Sequence, residues 1–212
     1  QTSATAAITP NDRYLDLSGL DLGGDQGTVW IDGEKEPINT SGGRHILLPK
    51  EARLLTTYTY KQNDSGDDYP IGMRDYRFQR EDTGVTLTEI TEFENLLNYA
   101  GCSIRLSGKK GIRMITGISQ DNKKALTGKA GLAGYTLEEY GTVVSWTDAL
   151  GNGGFLRLGE DYAHSNYAYR KGKADPVFAR KNGIIQYTNV LVLENLTEAD
   201  YDKDLTLRAY IR

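Results

Sequence analysis

From residue 13 to residue 90 the chain reads as a series of short strand-like runs, the first of which alternates apolar and polar positions with the period of a strand that has one buried face. Residues 13–22 (RYLDLSGLDL) are that first run. Residues 27–31 lead into Asp32-Gly33, which predicts a two-residue hairpin turn with 34–38 returning antiparallel. A Ser-Gly-Gly turn precedes 45–48. Residues 53–61 (RLLTTYTYK) are rich in β-branched and aromatic side chains and place Tyr58 and Tyr60 on one face. After an acidic loop at 63–68, the segments 70–78 and 85–90 complete about seven short strands at sandwich-like spacing. Residues 1–12 read as a loose tail.

The period then changes. Thr91-Glu-Phe-Glu94 matches a capping box, Phe93, Leu96, Leu97 and Ala100 share a helical face, and Gly101 follows as a stop. A short helix over 91–101 is therefore expected to join an N-terminal β lobe (13–90) to a C-terminal one (102–212). The second lobe is organised around 103–146. Its runs 103–106 and 112–118 flank Ser-Gly-Lys-Lys-Gly, a hairpin signal. Ser119 is placed to cap a short helix over 119–126, and three glycines (128, 131, 134) break the chain before 137–146, the longest clean strand pattern. Further strands are expected at 155–158, 177–180, 184–193 and 205–211, with a helical turn at 197–200 and a loop over 161–169 that holds His164. The fold class that follows is all-β and mainly antiparallel: two β-sandwich-like lobes joined by a short helix.

Charge narrows the partners. With 25 Lys and Arg against 29 Asp and Glu, the formal net charge is −4 and no like-charged block occurs. Nucleic acid, which is bound through a basic stripe, is not an expected partner. No run of 18 apolar residues is present, so no membrane span is expected. Cys102 is the single cysteine, which excludes an internal disulfide and a cysteine-based metal cluster. The opening QTSATAA resembles the residues left behind a removed signal peptide and predicts secretion.

Catalytic signals are sparse. Glu138-Glu139, Glu160-Asp161 and Asp200/Asp202/Asp204 are acidic clusters, read as solvated faces or turns, and adjacent residues such as Glu138-Glu139 point to opposite sides of a strand. Asp200-x-Asp202-x-Asp204 opens like a calcium loop but lacks its glycine and its closing glutamate, where Ile211 stands. His45 and His164 have no metal-ligand spacing, and no nucleophile elbow, dinucleotide fingerprint or phosphate loop occurs. Neither a cofactor, a metal nor an enzymatic activity is expected.

Aromatic residues carry the stronger lead, with 14 Tyr against 4 Phe. Sugar rings present C–H faces that pack on flat indole and phenol rings, and amphipathic aromatics suit binding surfaces. The candidate ligand-binding residues are Trp30, opposite in direction to Val29 and Ile31, together with Tyr58, Tyr60, Trp146, and Tyr167 and Tyr169 beside His164 and Asn166. Trp30 and Trp146 are equally readable as core residues.

The phrases SIRLSGKKGIRMITGIS, LTGKAGLAGYTLEEYGTVVSW, SNYAYRKGKADPVFAR, QYTNVLVLENL and LRAYI resemble a module of large secreted or cell-surface proteins of Gram-positive gut anaerobes. VWIDGEKEP and LLTTYTYKQNDSGDDYPIGMRDYRF resemble the lobe that precedes it. The family includes starch-adherence proteins of the amylosome. That resemblance implies an extracellular, non-catalytic two-lobed β module, part of a larger multimodular protein or complex, gripping starch or maltooligosaccharide (α-1,4-glucan) in a groove between lobes. The alternative is a structural or adhesive surface module that binds a protein or a cell-wall polymer.

Overall fold

A computed structural model describes residues 3–6, 14–20, 28–66, 68–81, 84–108, 110–151, 156–192, 195 and 197–212. They fall into two compact units, the first drawn from Gln1–Glu94 and the second from Asn95–Gly151 with Phe155–Arg212. Among the described residues every strand pairing is antiparallel and there is one α-helix, so the chain is all-β. No helix among them is long and apolar enough to cross a membrane.

The first unit contains β1 (Ser3–Ala6), β2 (Tyr14–Asp16), β3 (Thr28–Ile31), β4 (Glu34–Pro37), β5 (His45–Leu47), β6 (Leu54–Gln62), β7 (Asp68–Glu81) and β8 (Gly84–Glu89). Six of them form one sheet in the order β1-β8-β7-β6-β3-β4, while β2 pairs with β5. The β3–β4 turn is the expected two-residue one, with Ile31 opposite Glu34. Asp32 and Gly33 both have positive φ (49° and 87°), as a turn matching strand twist requires. The Asp32 carboxylate also accepts the backbone N–H groups of Arg53 and Leu54 (3.1 and 2.8 Å), fixing the start of β6. Val29, Ile31, Leu55 and Leu87 line one sheet face, and Leu15 and Ile46 of β2 and β5 complete the same core. The loose tail expected at 1–12 is corrected at Ser3–Ala6, which pairs with β8. An open sheet edge offers backbone hydrogen bonds whatever the side chains are, so small polar residues do not disqualify a strand there.

The helix expected over 91–101 is absent. Thr91–Phe93 forms a single 3-10 turn with no side-chain cap, Glu94 is already extended, and Asn98–Arg105 is strand β9. A helix of two or three turns has little stability of its own, and the ladder that β9 makes with its neighbour outweighs it. Leu96 is buried while Ala100 is exposed, so the presumed helical face is not one face.

The second unit continues with β10 (Gly111–Ser119), α1 (Gln120–Thr127), β11 (Glu139–Trp146), β12 (His164–Arg170), β13 (Ala179–Lys181), β14 (Ile184–Leu191) and β15 (Leu205–Ile211). The sheets run β13-β14-β10-β9 and β12-β11-β15. The expected hairpin joins β9 to β10 with Arg105 opposite Gly111. Ser119 caps α1 as anticipated, its hydroxyl accepting the Asn122 N–H at 3.0 Å. Two expectations shift. Residues 156–158 are not a strand (155 lies outside the described residues), and most of the supposed loop at 161–169 is β12. At the open edge, β9 and the residue after it leave Ile104 and Leu106 77% and 80% exposed.

Candidate functional site

Strand β11 (EYGTVVSW) is the centre of the three-stranded sheet and is buried along nearly its whole length. Its register with β12 decides where the aromatic residues go. Glu139 pairs with Arg170 and Tyr140 with Tyr169, but Gly141 pairs with Tyr167, so Ala168 is an extra residue bulged out of β12. Directly paired residues share a sheet face, and neighbours along β11 alternate. Tyr169 therefore joins Tyr140 on one side, while Tyr167 joins Glu139, Gly141 and Arg170 on the other. Gly141 makes this possible: a Cβ there would overlap the Asn166 carbonyl oxygen and crowd Tyr167 Cα.

On the inward side Tyr140 and Tyr169 stack (5.6 Å between centroids, 21° between planes), and Tyr187 of β14 meets Tyr140 edge-on at 4.7 Å. Lys123 enters this box from α1 with its ammonium 3.8 Å from the Tyr169 centroid. It donates to Tyr187 Oη (2.8 Å) and to Asp175 Oδ2 (3.2 Å), and Tyr187 Oη donates to Asp175 Oδ1 (2.6 Å). Two donors on oxygens and a cation against ring faces compensate the desolvation of a buried lysine. The arrangement is a structural anchor between α1 and β14, since amine and carboxylate are each engaged by the other. Nearby, Asn189 donates to Thr142 Oγ1 and to the Asn166 carbonyl (both 3.1 Å), tying β14 to β11 and β12.

The other side also carries a core, Val143 and Tyr210 packing with Leu156, and opens to solvent at its β12 edge, at Tyr167 and Arg170. Arg170 directs Nε (2.5 Å) and Nη2 at Glu139 Oε2, and Tyr210 Oη of β15 donates to Glu139 Oε1 at 2.5 Å. Burial pushes the Glu139 carboxyl up, but the hydrogen bonds from Tyr210 and Arg170 and the charges of Arg170 and Arg212 outweigh it and hold the group below the ordinary glutamate range. Burial, then the hydrogen bond to Glu139 and its negative charge, push the Tyr210 phenol up. Thus anchored, the Arg170 guanidinium lies 4.2 Å above the ring of Tyr167, which is 42% exposed.

The six sequence candidates do not form one surface. Trp30 and Tyr58 are interior, 6% and 4% exposed, and meet edge-on at 4.7 Å on the sheet face opposite Leu55. Trp30 does point away from Val29 and Ile31, yet both faces of β3 are covered. Tyr60 is half-buried on β6. Trp146 is half-buried at the end of β11, with the Lys203 ammonium 5.3 Å from its ring. Lys203 is held by Asp200 (2.8 Å), which the Thr197 N–H and hydroxyl also engage. These contacts, Lys203 foremost, hold the Asp200 carboxyl far below the usual range. Tyr169 is half-buried in the lysine box, and only Tyr167 is well exposed.

Glu138-Glu139, an acidic cluster expected on a solvated face or turn, divides in the fold. Glu138 is exposed and paired with Lys171 at 2.8 Å, whereas Glu139 is buried. Sequence reading passed over Lys123, Asp175, Tyr187, Arg170 and Tyr210. The contacts that matter span 71 residues from Glu139 to Tyr210 and 52 from Lys123 to Asp175, beyond any local pattern. Among the described residues no group of three or more His, Cys, Asp and Glu is arranged to hold a metal ion. No protein-family model, no curated protein and no solved structure matches this chain.

Proposed function

We propose that this chain is a non-catalytic glycan-binding module of a larger extracellular or cell-surface protein, with starch or another α-1,4-glucan as its ligand. The observation that supports the reading is the treatment of two of the six candidate aromatics. Tyr167 and Trp146 are left in contact with solvent, each with a cation over its ring that is held by a carboxylate with further hydrogen bonds of its own. An apolar ring face beside a charged hydrogen-bond donor is what a sugar, with its C–H face and hydroxyl edge, requires. Binding at one such platform is weak, and tethering among modules strengthens it. Retention on granular starch, with cellulose and xylan as controls, is the expected result; passage through starch unretained removes the α-glucan assignment. Reducing-sugar release from soluble starch would overturn the non-catalytic part.

A structural or adhesive role is the second reading, favoured by β9. Tyr99, Ile104 and Leu106 leave apolar surface along an open sheet edge, where a protein partner gains both burial and backbone pairing. Loss of binding to a protein or cell-wall fraction on Ile104→Lys, with starch retention absent, would favour it.

A further inference from the structure

We propose that the glycan contact is the outward face of β12, with the Tyr167 ring as the platform and Arg170 Nη1 as the edge donor. Glu139 and Tyr210 act as positioning residues, and the ligand class is a neutral glycan. This rests on the glycan-binding reading above.

Arg170 uses Nε and Nη2 on Glu139, which leaves Nη1, with two N–H groups, as the part without a partner among the described residues. Its side chain is 48% exposed. A ligand carboxylate is gripped best by two parallel N–H groups from different nitrogens of a guanidinium. Here that fork is occupied by Glu139, whose own negative charge opposes an incoming anion. A hydroxyl pair asks less, since each oxygen accepts a single N–H. The Tyr167 phenol oxygen likewise has no hydrogen-bond partner among the described residues and lies on the same sheet face. The guanidinium covers one face of the ring, so the ring's other face, the phenol and Nη1 are what a ligand meets. The guanidinium is held rigid across three strands, because Tyr210 on β15 and Arg170 on β12 converge on one carboxylate of β11. An ordinary surface arginine must lose side-chain entropy on binding, and this one has already been ordered in folding.

The test is titration of the full chain with maltohexaose by calorimetry, with polygalacturonate in an affinity gel as the anionic arm. Tyr167→Ala is expected to weaken maltohexaose binding at least about tenfold, while Tyr167→Phe, which keeps the ring, stays within about threefold. Arg170→Lys loses about fivefold, because lysine keeps the charge without the planar fork that orients it. Glu139→Gln weakens binding similarly in protein that near-ultraviolet circular dichroism shows to be folded, but has no further effect in an Arg170→Lys background. A purely structural Glu139 would leave that coupling at zero. Wild-type affinity in Tyr167→Ala overturns the site and leaves the glycan reading standing. Binding of the wild type to polygalacturonate alone overturns the neutral class, and binding to neither glycan overturns site and reading together.

Discussion

Two strands of this protein carry the same Tyr-x-Tyr spelling, Tyr58-Thr59-Tyr60 in β6 and Tyr167-Ala168-Tyr169 in β12, and both lie at a register shift. In β6 the partner absorbs the shift: Thr59 faces Gly72 and Tyr60 faces Pro70, so the extra residue belongs to β7. Strand β6 keeps its alternation, and Tyr58 packs with Trp30 inside the first unit. In β12 the extra residue is Ala168 of the strand itself, and the two tyrosines part. Tyr169 turns into the lysine box and Tyr167 turns out beneath Arg170. One spelling thus yields a core contact in one place and an exposed ring in the other. The side of the ladder that bulges makes the difference.

The buried half of this comparison breaks hardest. Trp30→Ala removes the partner of Tyr58 and is expected to cost about 3–5 kcal/mol, read as a lower urea midpoint for the first unit by far-ultraviolet circular dichroism. Gly141→Ala comes next, because its Cβ has no space against the Asn166 carbonyl and Tyr167 Cα. It should cost about 1–3 kcal/mol and perturb the near-ultraviolet signal of the tyrosine box as the bulge is forced to rearrange. If Gly141→Ala leaves stability and that signal unchanged, the bulge does not depend on this glycine.

Acid sharpens the Glu139 side. The Glu139 carboxyl is depressed in the folded state, so its contribution is complete above the ordinary glutamate value of 4.5 and is lost as pH falls through the lower folded value. Urea midpoints measured from pH 6 to pH 3 should therefore fall more steeply for the wild type than for Glu139→Gln. Parallel profiles would mean that Glu139 does not carry the acid sensitivity. The smallest effect belongs to Tyr167→Ala, within about 0.5 kcal/mol in stability, since this ring is exposed and replaces no core contact. A large loss there would mark Tyr167 as structural and remove it as a binding platform.

Much of the local structure was legible in the chain. Asp32-Gly33 announced its turn, Ser119 its cap, the SGKKG spacer its hairpin and the β-branched and aromatic run of 53–61 its strand, because each depends on backbone preferences carried by a few adjacent residues. The helix expected over 91–101 failed for the complementary reason: a local preference met a ladder formed with β10, a partner that lies later in the chain. The candidate site was only half legible. Tyr167 was named for its chemistry, but the residues that orient it, Glu139, Arg170 and Tyr210, are separated by 31 and 71 positions.

By itself, then, the sequence determined a turn-rich all-β chain with short antiparallel strands, since side-chain alternation and turn chemistry act over two to five residues. Which aromatics are interior, which glutamate is buried and which tyrosine faces solvent were decided by the tertiary structure. Exposure is a property of what packs on the far side of a strand, and one bulged residue reverses every face beyond it.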